Sequence, residues 1–215
     1  MKIKDAMEKG MIELKVDNIE MPKLKARLLM QFLLKKDRQY IIVHDRNNLT
    51  SNQEKMYFEL IKKLRRGIPI EYITHQREFM KMNFFVDENV LIPRGDTEVL
   101  VEEVIKIAKK INAKKILDLC TGSGIIGISL AKYVDNCEVT ATDISKEAIN
   151  IAKKNAIINK VENKVTFIES DLFSNISNSK YDIIVSNPPY IKRDVIKMLD
   201  RQVQKEPVIV LDSVY

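Results

Sequence analysis

From Lys115 onward, short apolar runs alternate with segments of helical period, and this restricts the fold more than any other feature of the chain. The runs Ile116–Leu119, Glu138–Thr142, Lys164–Ile168 and Asp182–Ser186 read as strands. Helices fall around Gly127–Tyr133 and Lys146–Asn159. Strands separated by helices build a parallel sheet with right-handed crossovers, so the expected fold class is α/β with about four parallel strands in a Rossmann-like sheet. Ligands of such sheets bind beyond the carboxyl ends of the strands. Residues at those ends are therefore the first candidates for a site.

Three of the four strands end in an acid: Asp118, Asp143 and Asp171. After the first, "ILDLCTGSGIIGISL" places Gly122 and Gly124 in a turn that opens a helix, where glycines allow close backbone approach to a ligand. A dinucleotide fingerprint runs G-x-G-x-x-G/A and sets pyrophosphate at the helix end. Here Asp118 stands four residues before the first glycine. A carboxylate there repels phosphate and suits an ammonium group, which favours S-adenosyl-L-methionine (SAM) over a nicotinamide dinucleotide. Asp143 is placed to accept both ribose hydroxyls; the simpler role of capping the next helix can fall to Ser145. Asp171 can accept from the adenine amino group, with Leu172 and Phe173 packing on the purine.

The fourth strand ends in Asn187-Pro188-Pro189-Tyr190, within "YDIIVSNPPYIK". Prolines stop strands because they donate no ladder hydrogen bond, but one would suffice. Beside a SAM pocket the tetrapeptide reads instead as a clamp. The Asn187 side-chain carbonyl and the Pro188 backbone carbonyl can each accept one hydrogen of an –NH2 group. That favours a pyramidal nitrogen and frees a delocalised lone pair for attack. The paired prolines fix the carbonyl, and Tyr190 packs on a flat substrate. Asn187 also borders the cofactor. Sulfonium is a good leaving group, so no metal is required, and the protein supplies positioning and electrostatics.

The preceding residues organise in two parts. Residues 1–75 read as a helical domain. Pro22 opens a helix carrying Leu24, Leu28 and Phe32. Ser51 and Glu54 form a capping box before the face Tyr57, Leu60, Ile61 and Leu64, and Gly67 ends that helix. The row "KKLRR" on it is a solvated face, or else a docking patch for an acidic or RNA-like partner. Residues 76–95 read as a β-hairpin connector, with Phe79, Phe84, Val86 and Leu91 interrupted by Asp87-Glu88-Asn89. Residues 96–215 then form the SAM-binding domain, opened by a helix from Asp96 whose Leu100, Val104, Ile107 and Ile111 face a core. Hydrophobic residues make up 45% of the chain and charged ones 31%, the balance of a soluble globular protein. No apolar run approaches the ~18–20 residues of a membrane helix, and the start lacks a secretory pattern. Cys120 and Cys137 have neither metal-ligand nor disulfide spacing, which suits a reducing cytoplasm. The net charge of +6 is a mild basic bias.

The ordered series "GIPIEYI", "REFMKMNFFV", "VLIPRGDTEVLVEE", "DLCTGSGIIGISL", "ATDIS", "SDLF" and "SNPPYI" resembles the HemK/PrmC release factor glutamine methyltransferases over nearly the whole chain. The resemblance implies methyl transfer from SAM to the side-chain amide nitrogen of the glutamine in the Gly-Gly-Gln motif of class 1 peptide chain release factors. It implies that Cys120, Thr121, Gly122, Ser123, Gly124, Asp143 and Leu172 bind SAM, and that Asn187, Pro188, Pro189 and Tyr190 hold the glutamine. The helical domain would help grip the release factor. The expected partner is that protein, with no direct nucleic acid and no membrane, and the chain is expected to act as a monomer. Two departures stand out. Gly95 replaces a usual proline, loosening a loop whose Arg94 and Thr97 approach the pocket. The family sheet has further strands after "EP..ALD", whereas here "KEPVIVLDSVY" closes the sequence, so the sheet is expected to be truncated with its fourth strand at an edge. The competing expectations are an adenine amino methyltransferase on DNA or RNA, which would need base flipping, and an inactive remnant that only binds release factor.

Overall fold

The computed structural model describes residues 1–176, 180–191, 195, 198 and 202–212. The chain divides into two compact units, Met1–Thr74 and His75–Tyr215.

The first unit contains five helices: α1 (Ile3–Val16), α2 (Pro22–Leu34), α3 (Arg38–Val43), α4 (Ser51–Arg65) and α5 (Ile70–Thr74). Their apolar faces meet around Leu14, Leu29, Met30, Tyr57, Ile61 and Leu64, all fully buried. Buried Tyr57 donates its hydroxyl to the Ala26 carbonyl at 3.1 Å, and burial pushes the phenol above its usual range. The expected box at Ser51 and Glu54 sits one residue earlier. Thr50 Oγ1 accepts from Gln53 N–H at 3.2 Å, and Gln53 Oε1 accepts from Thr50 N–H at 3.0 Å. "TSNQ" satisfies the same pattern as "SNQE", and Glu54 is drawn instead to the Met1 ammonium at 2.9 Å. In the basic row, Leu64 is buried, Arg65 pairs with Asp17 and Glu13, and Lys62 pairs with Glu59. Two of its four cations thus serve the unit's own surface.

The second unit opens with a hairpin of β1 (Arg77–Phe79) and β2 (Met82–Phe84). Its turn falls at Met80 and Lys81, not at Asp87–Asn89. Both turn residues have left-handed backbone, φ 49 and 59. Such turns ordinarily use Asn or Gly; here tertiary bonds hold Met80 instead. Glu98 Oε1 accepts its N–H at 2.8 Å, and its carbonyl accepts from the Tyr133 hydroxyl at 2.6 Å. Asp87 caps a separate local turn, accepting from Asn89 N–H at 2.9 Å.

Helix α6 (Asp96–Ile111) follows, with acids in its first turn and lysines in its last, as the helix dipole favours. It buries Thr97, Val101, Val104 and Ala108, while Ile107 and Ile111 lie half exposed. The expected stripe is therefore rotated toward the 97-101-104-108 face, which shares Val104.

Strands β3 (Lys115–Leu119), β4 (Glu138–Asp143), β5 (Val165–Glu169) and β6 (Ile183–Ser186) form one parallel sheet in the order β5-β4-β3-β6. Helices α7 (Ile125–Tyr133) and α8 (Lys146–Asn159) connect β3 to β4 and β4 to β5. The observed strands match the expected ones to within a residue. Ile116, Leu117, Val139 and Ala141 are buried with Ile128, Leu130 and Ala156 in the core. A 3-10 turn (Val203–Lys205) and α9 (Val208–Leu211) come last. The strand order reverses at β3, the topological switch point where such sheets open a crevice. No helix among the described residues is long and apolar enough to cross a membrane.

Candidate functional site

The loop between β3 and α7 is wound tightly by three left-handed residues, Cys120 (φ 57), Gly122 (φ 55) and Gly124 (φ 84). Thr121 N–H donates to the Thr142 carbonyl at 2.8 Å, tying the loop to the end of β4. A Cβ on Gly124 would come within 2.8 Å of Ile128 Cδ1 and 3.0 Å of Ala152 Cβ, so glycine lets the loop close onto α7 and α8. The space where Gly122 would carry a Cβ is open. Burial pushes the Cys120 thiol up, so it stays neutral at ordinary pH.

Two acids brace this loop from different sides. Asp143 Oδ2 accepts from Gly122 N–H at 2.8 Å, and its Oδ1 accepts from Ser145 N–H at 2.9 Å. Asp143 remains on the cavity wall, and its carboxylate retains acceptor capacity for a ligand hydroxyl. Ser145 caps α8 by accepting from Ala148 N–H at 3.2 Å. Asp118 lies elsewhere than expected. It is completely buried beneath the loop and does not line the cavity. Its Oδ2 accepts from Thr121 Oγ1 at 2.6 Å and Gly127 N–H at 2.9 Å, while Oδ1 has no hydrogen-bond partner among the described residues. The strand end turns this carboxylate inward, so it reaches a ligand only through the loop it holds.

Burial pushes the Asp118 carboxyl up to about 7, against the pull of those two hydrogen bonds. A carboxyl whose folded value lies above its unfolded one binds more protons when folded. Stability therefore falls as pH rises from about 4 to about 7, and the loss is complete above that window. Asp118→Asn should flatten this part of the pH dependence. Urea unfolding at acidic and mildly alkaline pH will show it, because the variant gains on the wild type as pH rises. Asp143, also raised by burial, leaves a residual slope of the same sign in both proteins.

A cavity of about 430 Å³ opens over the carboxyl ends of β3, β4, β5 and β6, within the ~300–1,000 Å³ of small-molecule sites. Cys120, Thr121, Gly122, Ser123, Asp143, Asp171, Leu172, Asn187, Pro188 and Pro189 all line it. Leu91, Pro93, Thr97, Ile125, Ile126, Ile144, Ser145, Ser170, Ser186 and Val210 complete the wall, and of these only Thr97 was expected to approach the pocket. Gly124, expected at the cofactor, packs on α7 and α8 and does not line the cavity, and Phe173 is exposed and also stands outside it. Among the described lining residues are two carboxylates and no lysine or arginine. That suits a ligand with cationic centres and a sugar, and it disfavours a pyrophosphate. The donor set thus fits SAM.

A smaller cavity of about 200 Å³ adjoins the first and shares Leu91, Thr97, Asn187, Pro188 and Val210 with it. Tyr190, mostly exposed, lines only this second space. Arg94, which lines it, pairs with Glu206, a buried carboxylate that also accepts from Ile92 N–H at 3.3 Å. The Gly95-bearing loop is therefore anchored just before α6. Neither Glu206 nor the role of Arg94 as its partner was legible from spacing, since more than a hundred residues separate them.

Comparison with known proteins agrees with this architecture. The family model for the PrmC N-terminal domain matches residues 5–74, and that for the methyltransferase small domain matches residues 95–205. The release factor glutamine methyltransferase of Clostridium acetobutylicum is 42% identical over 214 residues, covering 98% of this chain and 75% of that protein. The enzyme of the same name from Leptospira interrogans is 43% identical over 202 residues, covering 92% and 71%. Among solved structures, the hMettl16 catalytic domain in complex with the MAT2A 3'UTR hairpin 6 superposes with a TM-score of 0.52 at 16% identity. That match covers 67% of this chain and 55% of that one, and it speaks to the fold alone. A likeness of that depth along nearly the whole chain is kinship: the protein belongs to the release factor glutamine methyltransferase family and is a SAM-dependent methyltransferase.

Proposed function

We propose that the protein methylates class 1 peptide chain release factors on the side-chain amide nitrogen of the glutamine in their Gly-Gly-Gln motif. The observation that carries this reading is the position of Asn187 and Pro188 in the wall shared by the two cavities. One cavity is lined by the carboxylates Asp143 and Asp171 and by Gly122, and takes the cofactor. The other is open and bordered by Tyr190, and takes a side chain. When bound, SAM would supply an electrophilic methyl group, its sulfur keeping the bonding pair and departing as a neutral thioether while the amide nitrogen gives up one hydrogen as a proton to water.

The chain's own residues then have separable tasks. Asp143 accepts the ribose hydroxyls while keeping the Gly122 peptide in place. Asp171 and Leu172 serve the adenine. Cys120 to Ser123 present backbone to the cofactor, Gly124 lets the loop close onto α7 and α8, and Asp118 supports that loop from below. Asn187 and Pro188 offer two carbonyl oxygens to the two hydrogens of a carboxamide. Amide conjugation makes the nitrogen a poor nucleophile, and holding its hydrogens out of plane restores the lone pair. Pro188 and Pro189 fix the backbone that carries one of those oxygens.

The test is transfer of labelled methyl from SAM to three acceptors: a class 1 release factor, the same factor with the Gly-Gly-Gln glutamine changed to alanine, and duplex DNA. Label is expected in the unaltered factor and absent from the other two. Label in DNA alone would overturn the proposal, and label in the altered factor would move the target away from that glutamine.

A further inference from the structure

Asn155 sits within α8 with no exposed surface, on the face that otherwise presents Ala148, Ile151, Ala152 and Ala156 to the core. A buried amide there is costly unless its polar atoms are paired. All of its hydrogen-bonding groups are used, and all lead out of the helix. Nδ2 donates to the Phe85 carbonyl at 2.9 Å and to the Ser123 carbonyl at 2.8 Å. Oδ1 accepts from Phe85 N–H at 2.6 Å.

Of these two targets, Ser123 lines the larger cavity, and Phe85 begins the segment that leads to other residues of its lining. Ser123 lies between the two glycines of the β3–α7 loop and lines the larger cavity. Phe85 leaves the hairpin toward Leu91, Pro93 and Thr97, which also line that cavity, and Leu91 and Thr97 line the smaller one as well. The far end of this segment is held as well, because Ile92 N–H donates to Glu206 at 3.3 Å. A turn further along α8, Asn159 Nδ2 donates to the Asn83 carbonyl at 3.0 Å, so the helix reads the hairpin backbone twice. A segment pinned at both ends transmits a shift at Phe85 instead of absorbing it locally.

We propose that Asn155 is a positioning residue that couples the cofactor loop to the 85–97 wall, so that cofactor held on the loop orders the acceptor side of the site. The proposal rests on the reading that residues 120–124 hold SAM. Ordering shared between two walls is a coupling of binding steps: what one ligand orders, the next need not. Neither bond from Nδ2 is needed to form α8, since a leucine would fill the same buried position on that helix.

Hydrogen–deuterium exchange with and without SAM tests it on the wild type and on Asn155→Ala and Asn155→Leu. In the wild type, SAM is expected to slow exchange both at 121–124 and at 85–97. In the variants the slowing should be confined to 121–124. The KM for SAM should rise about tenfold from loss of the buried hydrogen bond to Ser123. At saturating SAM, kcat should also stay reduced, because the acceptor wall is no longer ordered. Unfolding of a fraction of the protein would lower kcat without moving KM. Wild-type protection at 121–124 without protection at 85–97 would overturn the coupling, with no variant needed. So would protection at 85–97 that persists in either variant. Absence of any SAM effect at 121–124 in the wild type would overturn the cofactor assignment of the loop, and this proposal with it.

Discussion

Replacing Asn187 with alanine is expected to lower methyl transfer about 10³-fold while SAM affinity changes by no more than about threefold. The side chain lies in the wall between the two cavities, at the end of β6. Its truncation removes one of the two acceptors that take the amide hydrogens, and the Pro188 carbonyl cannot hold both. The carboxamide then stays planar and conjugated, so the loss falls on kcat. Calorimetry with SAM, run beside a turnover assay on the same preparation, separates the outcomes. An equal loss of SAM affinity would move Asn187 to the cofactor side and leave the clamp without its principal member.

The second large effect is expected at Asp143. Asp143→Ala should weaken SAM binding about 10²-fold, which is the loss of two charge-assisted hydrogen bonds in a half-buried site. The variant loses the acceptor of Gly122 N–H at 2.8 Å and that of Ser145 N–H at 2.9 Å, together with the partner offered to the ribose. Asp143→Asn keeps one acceptor oxygen and should fall between. At saturating SAM both variants should recover most of their kcat, because Asp143 does not touch the acceptor. Unchanged SAM affinity in the alanine variant would remove Asp143 from the cofactor's partners and leave it as a cap for the loop alone.

The sheet was legible because its signals are local. Each strand is a short apolar run bounded by turn residues, and the acids stand where those runs stop. Most expected cofactor residues therefore fall around one cavity. Asp118 was not legible in detail. Whether a carboxylate at a strand end faces the ligand or the underside of the loop depends on the left-handed turn at Cys120, which no spacing encodes. The hairpin was displaced for a similar reason, since Met80 and Lys81 carry no turn signal and Met80 is held by Glu98 and Tyr133 from elsewhere in the chain. On α6, the stripes 100-104-107-111 and 97-101-104-108 share Val104 and both obey helical spacing. Packing alone chose between them. Asn155 and Glu206 were missed because a single polar residue in an apolar neighbourhood looks like surface until its partners are seen.

Among the described residues β6 pairs with β3 alone and is the outermost strand of its sheet, with Ile184 more than half exposed. Local opening of a protein proceeds most cheaply where the fewest contacts are broken. Detaching β6 breaks one ladder, whereas detaching β3 breaks two. The acceptor clamp is thus attached to a softer element than the glycine loop, which hangs from the central strand. In a chain of these 215 residues, mild warming or dilute denaturant will therefore loosen the clamp before the glycine loop. Such a chain would pass through a regime in which it still sequesters its methyl donor but has ceased to spend it.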